Sequence, residues 1–120
     1  MKYTPSHEWF SLEGDSGKVG ISKEAKREIG EVVHIELPKI GDRVIQGDPL
    51  AVIESTKAAI DLHAPCSGEV IATHEEVINH LDWFNEDPEG KGWLYVLRPS
   101  DLDEWRSLLS KEAYYALISS

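Results

Sequence analysis

Turn-forming residues interrupt the first hundred residues at short intervals, and this spacing constrains the fold more than any other feature of the sequence. Between the turns, apolar and polar residues often alternate with a period of two, which is typical of β-strands with one buried face. Many short strands at this spacing predict a mainly β fold, a small sandwich or flattened barrel. The predicted strands are 18–21, 31–37, 44–45, 50–54, 60–63, 69–73 and 92–97.

The alternation also predicts which side chains form the core. In the strand at 31–37, Val33, Ile35 and Leu37 share one face, while His34 and Glu36 share the other. The core is expected to lie at aliphatic positions of the predicted strands: Val33, Ile35, Leu37, Val52, Ile53, Val70, Leu94 and Val96.

Helices are predicted in two places. Ser22 as an N-cap and Gly30 as a stop bracket a short helix at 23–29. After Pro99 the apolar residues recur at helical spacing, which predicts a C-terminal helical appendage at about 100–118.

Two segments and the domain count complete this outline. Residues 75–84 fit either a helical turn or irregular structure, and 85–92 reads as a polar loop. No linker-like composition divides the chain, so residues 1–120 are expected to form a single domain.

Net charge, apolar runs and cysteine content indicate which partners and which cellular compartment to expect. A net charge of −10 disfavours nucleic acid and anionic membrane surfaces as partners. Apolar runs are far shorter than the ~20 residues of a membrane span, and the first residues lack the apolar stretch expected of a secretory signal. Cys66 stands alone, which excludes an intrachain disulfide and favours a reducing compartment. We therefore expect a cytoplasmic protein, or a mitochondrial matrix protein if the chain is a processed eukaryotic one.

Residues with catalytic or metal-binding chemistry do not form a convincing site. Cys66 lies at a turn in an acidic chain, whereas reactive thiols need electropositive surroundings. On a helix, His74 and His80 would lie ~120° apart around the axis, which makes a poor chelate. A glycine-rich phosphate-binding motif is absent as well. The sequence predicts neither a catalytic residue nor a metal site.

Lys57 is the one residue with an unusual setting. It lies in Ser55-Thr56-Lys57-Ala58-Ala59, a predicted hairpin connection of small side chains without glycine or proline. Such a tip would present the amine with little steric cover, both to a modifying enzyme and to a second protein. On composition alone, a simple solvated surface lysine is the better interpretation.

A family resemblance changes that interpretation. The stretch 52–61, followed by 64–70, resembles the lipoylation hairpin of the glycine cleavage system H protein family, in which Lys57 matches the lipoyl-lysine. The resemblance runs from about residue 3 to 114 and implies the lipoyl/biotinyl-carrier (barrel-sandwich hybrid) fold. Its other motifs, in order, are Tyr3-x-x-Ser6-His7-Glu8-Trp9, Val19-Gly20-Ile21, Gly30-Glu31-Val32-Val33, Glu36-Leu37-Pro38, Gly41-Asp42 and 85–94.

The resemblance implies a non-catalytic carrier of the glycine cleavage system, with lipoate covalently bound to Lys57. A lipoate ligase or a lipoyl/octanoyl transferase would attach the group. A pyridoxal-phosphate glycine decarboxylase would load an aminomethyl group on its sulfur, a tetrahydrofolate-dependent aminomethyltransferase would remove it, and dihydrolipoyl dehydrogenase would reoxidise the dithiol. The family's pocket for the loaded amine matches Ser6, Glu8 and Asp61.

Three other functions remain open. A biotinyl carrier usually has its lysine between methionines, whereas Thr56 and Ala58 flank Lys57 here. A lipoyl relay would hand lipoate to 2-oxoacid dehydrogenase subunits, and an unmodified interaction domain would keep only the fold.

The chain also departs from the family pattern at several positions. His34 and His63 stand where the family usually has aromatic residues, and Glu24 stands where a histidine is common. The segment His74–Phe84 lacks the proline that the family often has there, and its Trp83-Phe84 pair is bulkier than the usual aliphatic pair.

Overall fold

The computed structural model describes residues 1–119, which form two antiparallel sheets and several short helices. The strands are β1 (Lys2–Tyr3), β2 (Glu8–Glu13), β3 (Ser16–Ile21), β4 (Val32–Glu36), β5 (Arg43–Val44), β6 (Pro49–Ser55), β7 (Ala59–His63), β8 (Gly68–Thr73) and β9 (Tyr95–Pro99). The helices are α1 (Lys23–Ile29), α2 (Glu76–Asn79), α3 (Leu81–Glu86), α4 (Leu102–Arg106) and α5 (Lys111–Ser119).

The larger sheet has the strand order β1-β2-β3-β9-β8-β5, and the smaller one has the order β4-β6-β7. The two sheets stay separate and do not close into a barrel, so the prediction of a mainly β sandwich with short helices is confirmed. In the described part of the chain, no helix has the length and apolar character needed to cross a membrane.

The inward faces of the sheets form one aliphatic and aromatic core. In the smaller sheet, Ile53 of β6 pairs with Ile35 of β4 on one side and with Ile60 of β7 on the other. In the larger sheet, Val70 of β8 pairs with Leu97 of β9, and both are fully buried. The predictions for Ile35, Ile53, Val70 and Leu94 are confirmed, while Leu37, Val52 and Val96 are only half-buried.

The prediction that Val33 lies in the core is wrong. Val33 is 51% exposed, and its neighbour Val32 is 2% exposed. The register of β4 against β6 shifts between Val32 and His34, so an extra residue interrupts the alternation at this point. Such a bulge turns Val32 and Ile35 to the same side and leaves Val33 in solvent.

The structure refines several element boundaries. Ser22 Oγ accepts a hydrogen bond from the Ala25 amide and Gly30 ends α1 at φ 80°, as predicted. The C-terminal appendage is also confirmed, as α4 and α5, and Asp101 is the N-cap of α4. The segment left open at 75–84 is helical, and α3 extends into the predicted polar loop as far as Glu86.

β2 was not predicted, although it carries Glu8 and pairs with β3 along its whole length. Residues 8–10 are all buried, so the period-two signal of a half-exposed strand is lost there. The C-terminal helix α5 covers this region, since Tyr114 stacks on Tyr3 with ring centroids 4.5 Å apart.

We expect Leu94→Ala to destabilise the fold, because Leu94 is fully buried and truncating a core leucine typically costs about 2–4 kcal/mol. Val52→Ala should cost less, since Val52 is half-buried, and Lys57→Ala should leave the melting temperature almost unchanged. Urea unfolding of the three variants tests this order. Equal losses in all three would contradict both the core assignment and the solvent-facing position of Lys57.

Candidate functional site

Lys57 lies at the tip of the β6–β7 hairpin, where its side chain is exposed. The backbone of the tip is held by its own hydrogen bonds. The Ser55 amide donates to the Ala58 carbonyl at 2.8 Å, and Ser55 Oγ accepts from the amides of Lys57 at 3.1 Å and Ala58 at 3.0 Å. This hydroxyl therefore orders a turn that contains no glycine.

The tip is also attached to the rest of the molecule. The Thr56 amide donates to the Glu31 carbonyl at 3.1 Å, just before β4 begins. Next to Glu31, Val32 is held by Asn85 of α3: its amide donates to Asn85 Oδ1 at 2.8 Å, and Asn85 Nδ2 donates to its carbonyl at 3.1 Å. A continuous set of hydrogen bonds thus fixes the backbone of Lys57 relative to α3.

Gly30 gives the lysine stem a path along the surface. A Cβ atom at position 30 would lie 3.3 Å from Lys57 Cε and 3.7 Å from Nζ, and φ at Gly30 is +80°. Glycine therefore serves two purposes here, since it adopts the left-handed conformation that ends α1 and leaves space for Lys57.

Glu8 is a buried carboxylate that joins the two sheets. It is 1% exposed; Oε1 accepts from the hydroxyls of Thr4 and, at 2.6 Å, Ser6, while Oε2 accepts from the His63 amide of β7 at 3.0 Å. Among residues 1–119, His63 is the one basic side chain that approaches this carboxylate, with Nδ1 3.7 Å from Oε2. A buried anion is thus satisfied by dipoles, with no lysine or arginine beside it.

The three residues expected to bind a loaded amine are only partly brought together. Ser6 and Glu8 are in direct contact, and Glu8 is also hydrogen-bonded to β7. Asp61 lies on β7 two residues before His63, exposed and on the outward face of the strand, where it is opposite Val52. Within the described part of the chain, Asp61 takes no part in the hydrogen bonds around Glu8.

The departures from the family pattern have structural explanations. Glu24 Oε2 accepts from the Tyr115 hydroxyl at 3.0 Å and so links α1 to α5. Trp83 stacks on His80 at 4.2 Å and lies 5.7 Å from His74, so both histidines pack on an indole ring. No group of three or more potential metal ligands is found among residues 1–119.

Two other departures lie in the smaller sheet. His34 is exposed on β4 with Nε2 3.9 Å from a Glu36 carboxylate oxygen, and His63 lies beside Glu8. Both positions are at least partly solvent-accessible, so a histidine replaces an aromatic residue there without entering the core.

Cys66 is fully buried. Burial raises the pKa of its thiol to about 12, and the charges of Glu104 and Asp101 act in the same direction. At neutral pH the thiol is protonated and inaccessible, so it is neither a nucleophile nor a partner for exchange with another sulfur at the surface.

The raised pKa of Cys66 predicts a loss of stability at alkaline pH. An exposed thiol in the unfolded chain ionises near pH 8.5, whereas the folded protein keeps its proton up to about pH 12. The unfolded state binds fewer protons in this window, so the free energy of unfolding should fall as pH rises through it. Urea unfolding at pH 8 and pH 10 measures the fall, which should be smaller in Cys66→Ala. An identical fall in both proteins would contradict this assignment.

The sequence predicts Lys57 as the attachment site, but it does not predict the residues that position this lysine. Ser55 and Asn85 were noted only as parts of larger motifs, although one orders the tip and the other anchors β4. Ser55 could have been recognised, since a serine at the start of a turn often accepts from backbone amides two and three residues later. The contact between Asn85 and Val32 spans 53 positions in sequence and leaves no local signal.

Comparison with known proteins assigns the chain to a family. The family model described as Glycine cleavage H-protein matches residues 1–120. A glycine cleavage system H protein of Shewanella loihica is 47% identical over 119 residues, covering 98% of this chain and 92% of the relative. One of Psychrobacter sp. is 45% identical over 117 residues, covering 97% and 93%.

The fold agrees with this assignment. The crystal structure of a glycine cleavage system H protein from Mycobacterium marinum superimposes with a TM-score of 0.89 at 30% identity, covering 99% of this chain and 96% of that one. The match extends over the lysine hairpin, both sheets and the C-terminal helices. The chain therefore belongs to the glycine cleavage H-protein family.

Proposed function

We propose that this protein is the lipoyl carrier of a glycine cleavage system, with lipoate joined by an amide bond to Nζ of Lys57. The observation that carries the proposal is the exposed lysine on a backbone fixed by Ser55 and Glu31. There is space for a long acyl group there, because Ala58 and Ala59 have small side chains and Gly30 has none. When bound, lipoate supplies a sulfur that carries the aminomethyl group of glycine between enzymes.

The protein itself contributes presentation, not catalysis. Residues 1–120 form one lipoyl-carrier domain, and the bond-breaking steps belong to its partners. These are a pyridoxal-phosphate glycine decarboxylase, an aminomethyltransferase and dihydrolipoyl dehydrogenase, with a lipoate ligase or lipoyl/octanoyl transferase for attachment. The net charge of −10 favours rapid, transient encounters with partners that present basic surfaces.

The cargo is protected, in this proposal, by Glu8 together with Ser6 and Asp61. Glu8 is a dry carboxylate without a lysine or arginine partner in residues 1–119, and a cationic amine is its natural complement. Ser6 is exposed and donates to Glu8 Oε1 at 2.6 Å, so an ammonium group arriving from solvent can replace this donor. Asp61, on the outer face of β7, adds a second negative charge near the entry.

The same carboxylate favours aminomethyl transport over the alternatives. A lipoyl relay needs the lysine but has no use for a buried anion that lacks a cation. A biotinyl carrier or an unmodified interaction domain has no need of it either. The named relatives over nearly the full chain favour glycine cleavage as well.

Protein from cells supplied with lipoate should carry one lipoyl amide, on Lys57. Intact mass and peptide mapping detect it. Lys57→Arg keeps the charge but offers a group that ligases do not acylate, so the mass shift should vanish. Lys39→Arg, at another exposed lysine, should keep it. A mass shift that survives Lys57→Arg would exclude the proposed attachment site.

Glu8→Gln should release formaldehyde from the amine-loaded protein about ten- to a hundredfold faster than wild type, because a hydrogen bond to a charged group is worth about 1.5–3 kcal/mol. Glutamine keeps the size and one acceptor oxygen, so the fold is retained while the charge is lost. Glu13→Gln, an exposed position at the far end of β2, is the matched control. Wild-type release rates in Glu8→Gln and in Asp61→Asn would rule out the pocket and strengthen the relay alternative.

A further inference from the structure

A groove of about 720 Å³ runs between the end of α1, the start of β4 and α3. Its volume is within the ~300–1,000 Å³ typical of small-molecule sites. Its walls include Lys26, Gly30, Val33, Leu81 and Asn85. We call it the α1–α3 groove, and none of the functions described above uses it.

Lys57 already lies at the rim of this groove. Gly30 is both a wall of the α1–α3 groove and the residue over which the lysine stem passes, with its Cβ position 3.7 Å from Lys57 Nζ. An acyl group on that nitrogen would therefore start at the edge of the groove. Because Asn85 and Glu31 fix both the groove wall and the hairpin tip, the two are held in one relative position.

The walls suit an uncharged, apolar group. The bulge in β4 turns Val33 outward into the groove, where it is 51% exposed, and Leu81 is half-buried opposite. The aliphatic stem of Lys26 contributes further apolar surface. Lys26 is half-buried, and this burial lowers the pKa of its ammonium, with Glu31 acting in the opposite direction.

The acidic residues of the groove do not make it an amine site. Glu31, Asp82 and Glu86 line it, but all three are exposed to solvent, where an ion pair gains little. The carboxylate of Glu8, by comparison, is buried from solvent. A neutral group gains most from the α1–α3 groove, and a cationic one gains most from Glu8.

We propose that the lipoyl arm, while it carries no amine, lies in the α1–α3 groove against Val33 and Leu81, and that it leaves the groove when it is loaded. This inference rests on the proposed attachment at Lys57. The groove then holds the neutral dithiolane in a defined resting position, reached past Gly30. A partner that docks at the hairpin tip competes with the α1–α3 groove for binding of the arm.

Methyl and amide NMR spectra of the unmodified and the oxidised lipoylated protein test the proposal directly. We expect lipoylation to shift the Val33 and Leu81 methyl signals and the Gly30 amide signal. Loading with the amine should return these three signals towards their unmodified positions. Shifts confined to residues 55–59 of the tip would overturn the proposal.

Val33→Asp provides a second test that does not depend on a partner enzyme. This substitution places a charge in the groove at an exposed position, so the arm should be displaced. A water-soluble phosphine should then reduce the dithiolane about three- to tenfold faster than in wild type, as expected when part of an apolar contact is lost. Ile45→Asp is the control, since Ile45 is 69% exposed and outside the groove, and it should react at the wild-type rate. Leu81→Gln should behave like Val33→Asp.

The outcomes separate the two proposals. If mass spectrometry finds lipoate on Lys57 but both groove variants are reduced at the wild-type rate, the groove assignment is wrong and the carrier function stands. If Lys57 is never lipoylated, the proposed function fails and the groove assignment fails with it. Thermal melting confirms that each variant is folded before its rate is compared.

Discussion

The hydrogen bond from the Thr56 amide to the Glu31 carbonyl is the contact on which the presentation of Lys57 depends. Pairing of β6 with β4 holds one strand of the hairpin as far as Ser55, and the Thr56 bond extends this attachment into the tip itself. Asn85 extends this contact to α3 by bonding both polar backbone groups of Val32. The carrier thus combines a fixed backbone with a long flexible side chain. When a partner binds, only the conformational entropy of that side chain has to be lost.

Glu8 is the second residue that connects separate parts of the fold. Its structural role and its proposed functional role both depend on the burial of its carboxylate. Its side chain connects β2 to the edge strand β7 by accepting the His63 amide, and two hydroxyls satisfy the other oxygen. Burying a carboxylate without a cation costs free energy, and hydrophobic packing would be the more stabilising choice. Under the proposed function the charge at this position has a use, because the amine of the aminomethyl cargo would supply the cation that Glu8 lacks.

Much of the fold could be predicted, because local signals decide it. The caps of α1, the β6–β7 hairpin and the C-terminal helices all follow from residues within a few positions of each other. Val33 was misplaced because a bulge changes the alternation without altering composition. Glu8 was singled out by family resemblance alone, since nothing in its sequence neighbourhood indicates a buried glutamate, and its role towards the cargo stays a prediction. The α1–α3 groove is formed by elements about fifty residues apart, beyond the range of any pattern in the sequence.

Backbone ¹⁵N relaxation of the lipoylated protein tests the central claim, which is that a mobile arm extends from a fixed base. The account predicts order parameters for Thr56, Lys57 and Ala58 close to the ~0.85 of rigid backbone, and lower values in Asn85→Ala. Values below ~0.6 in the wild-type protein, comparable to those of a flexible loop, would contradict it. In that case the hairpin itself would move, and the hydrogen bonds that Glu31 accepts and Asn85 makes would not control how Lys57 is presented.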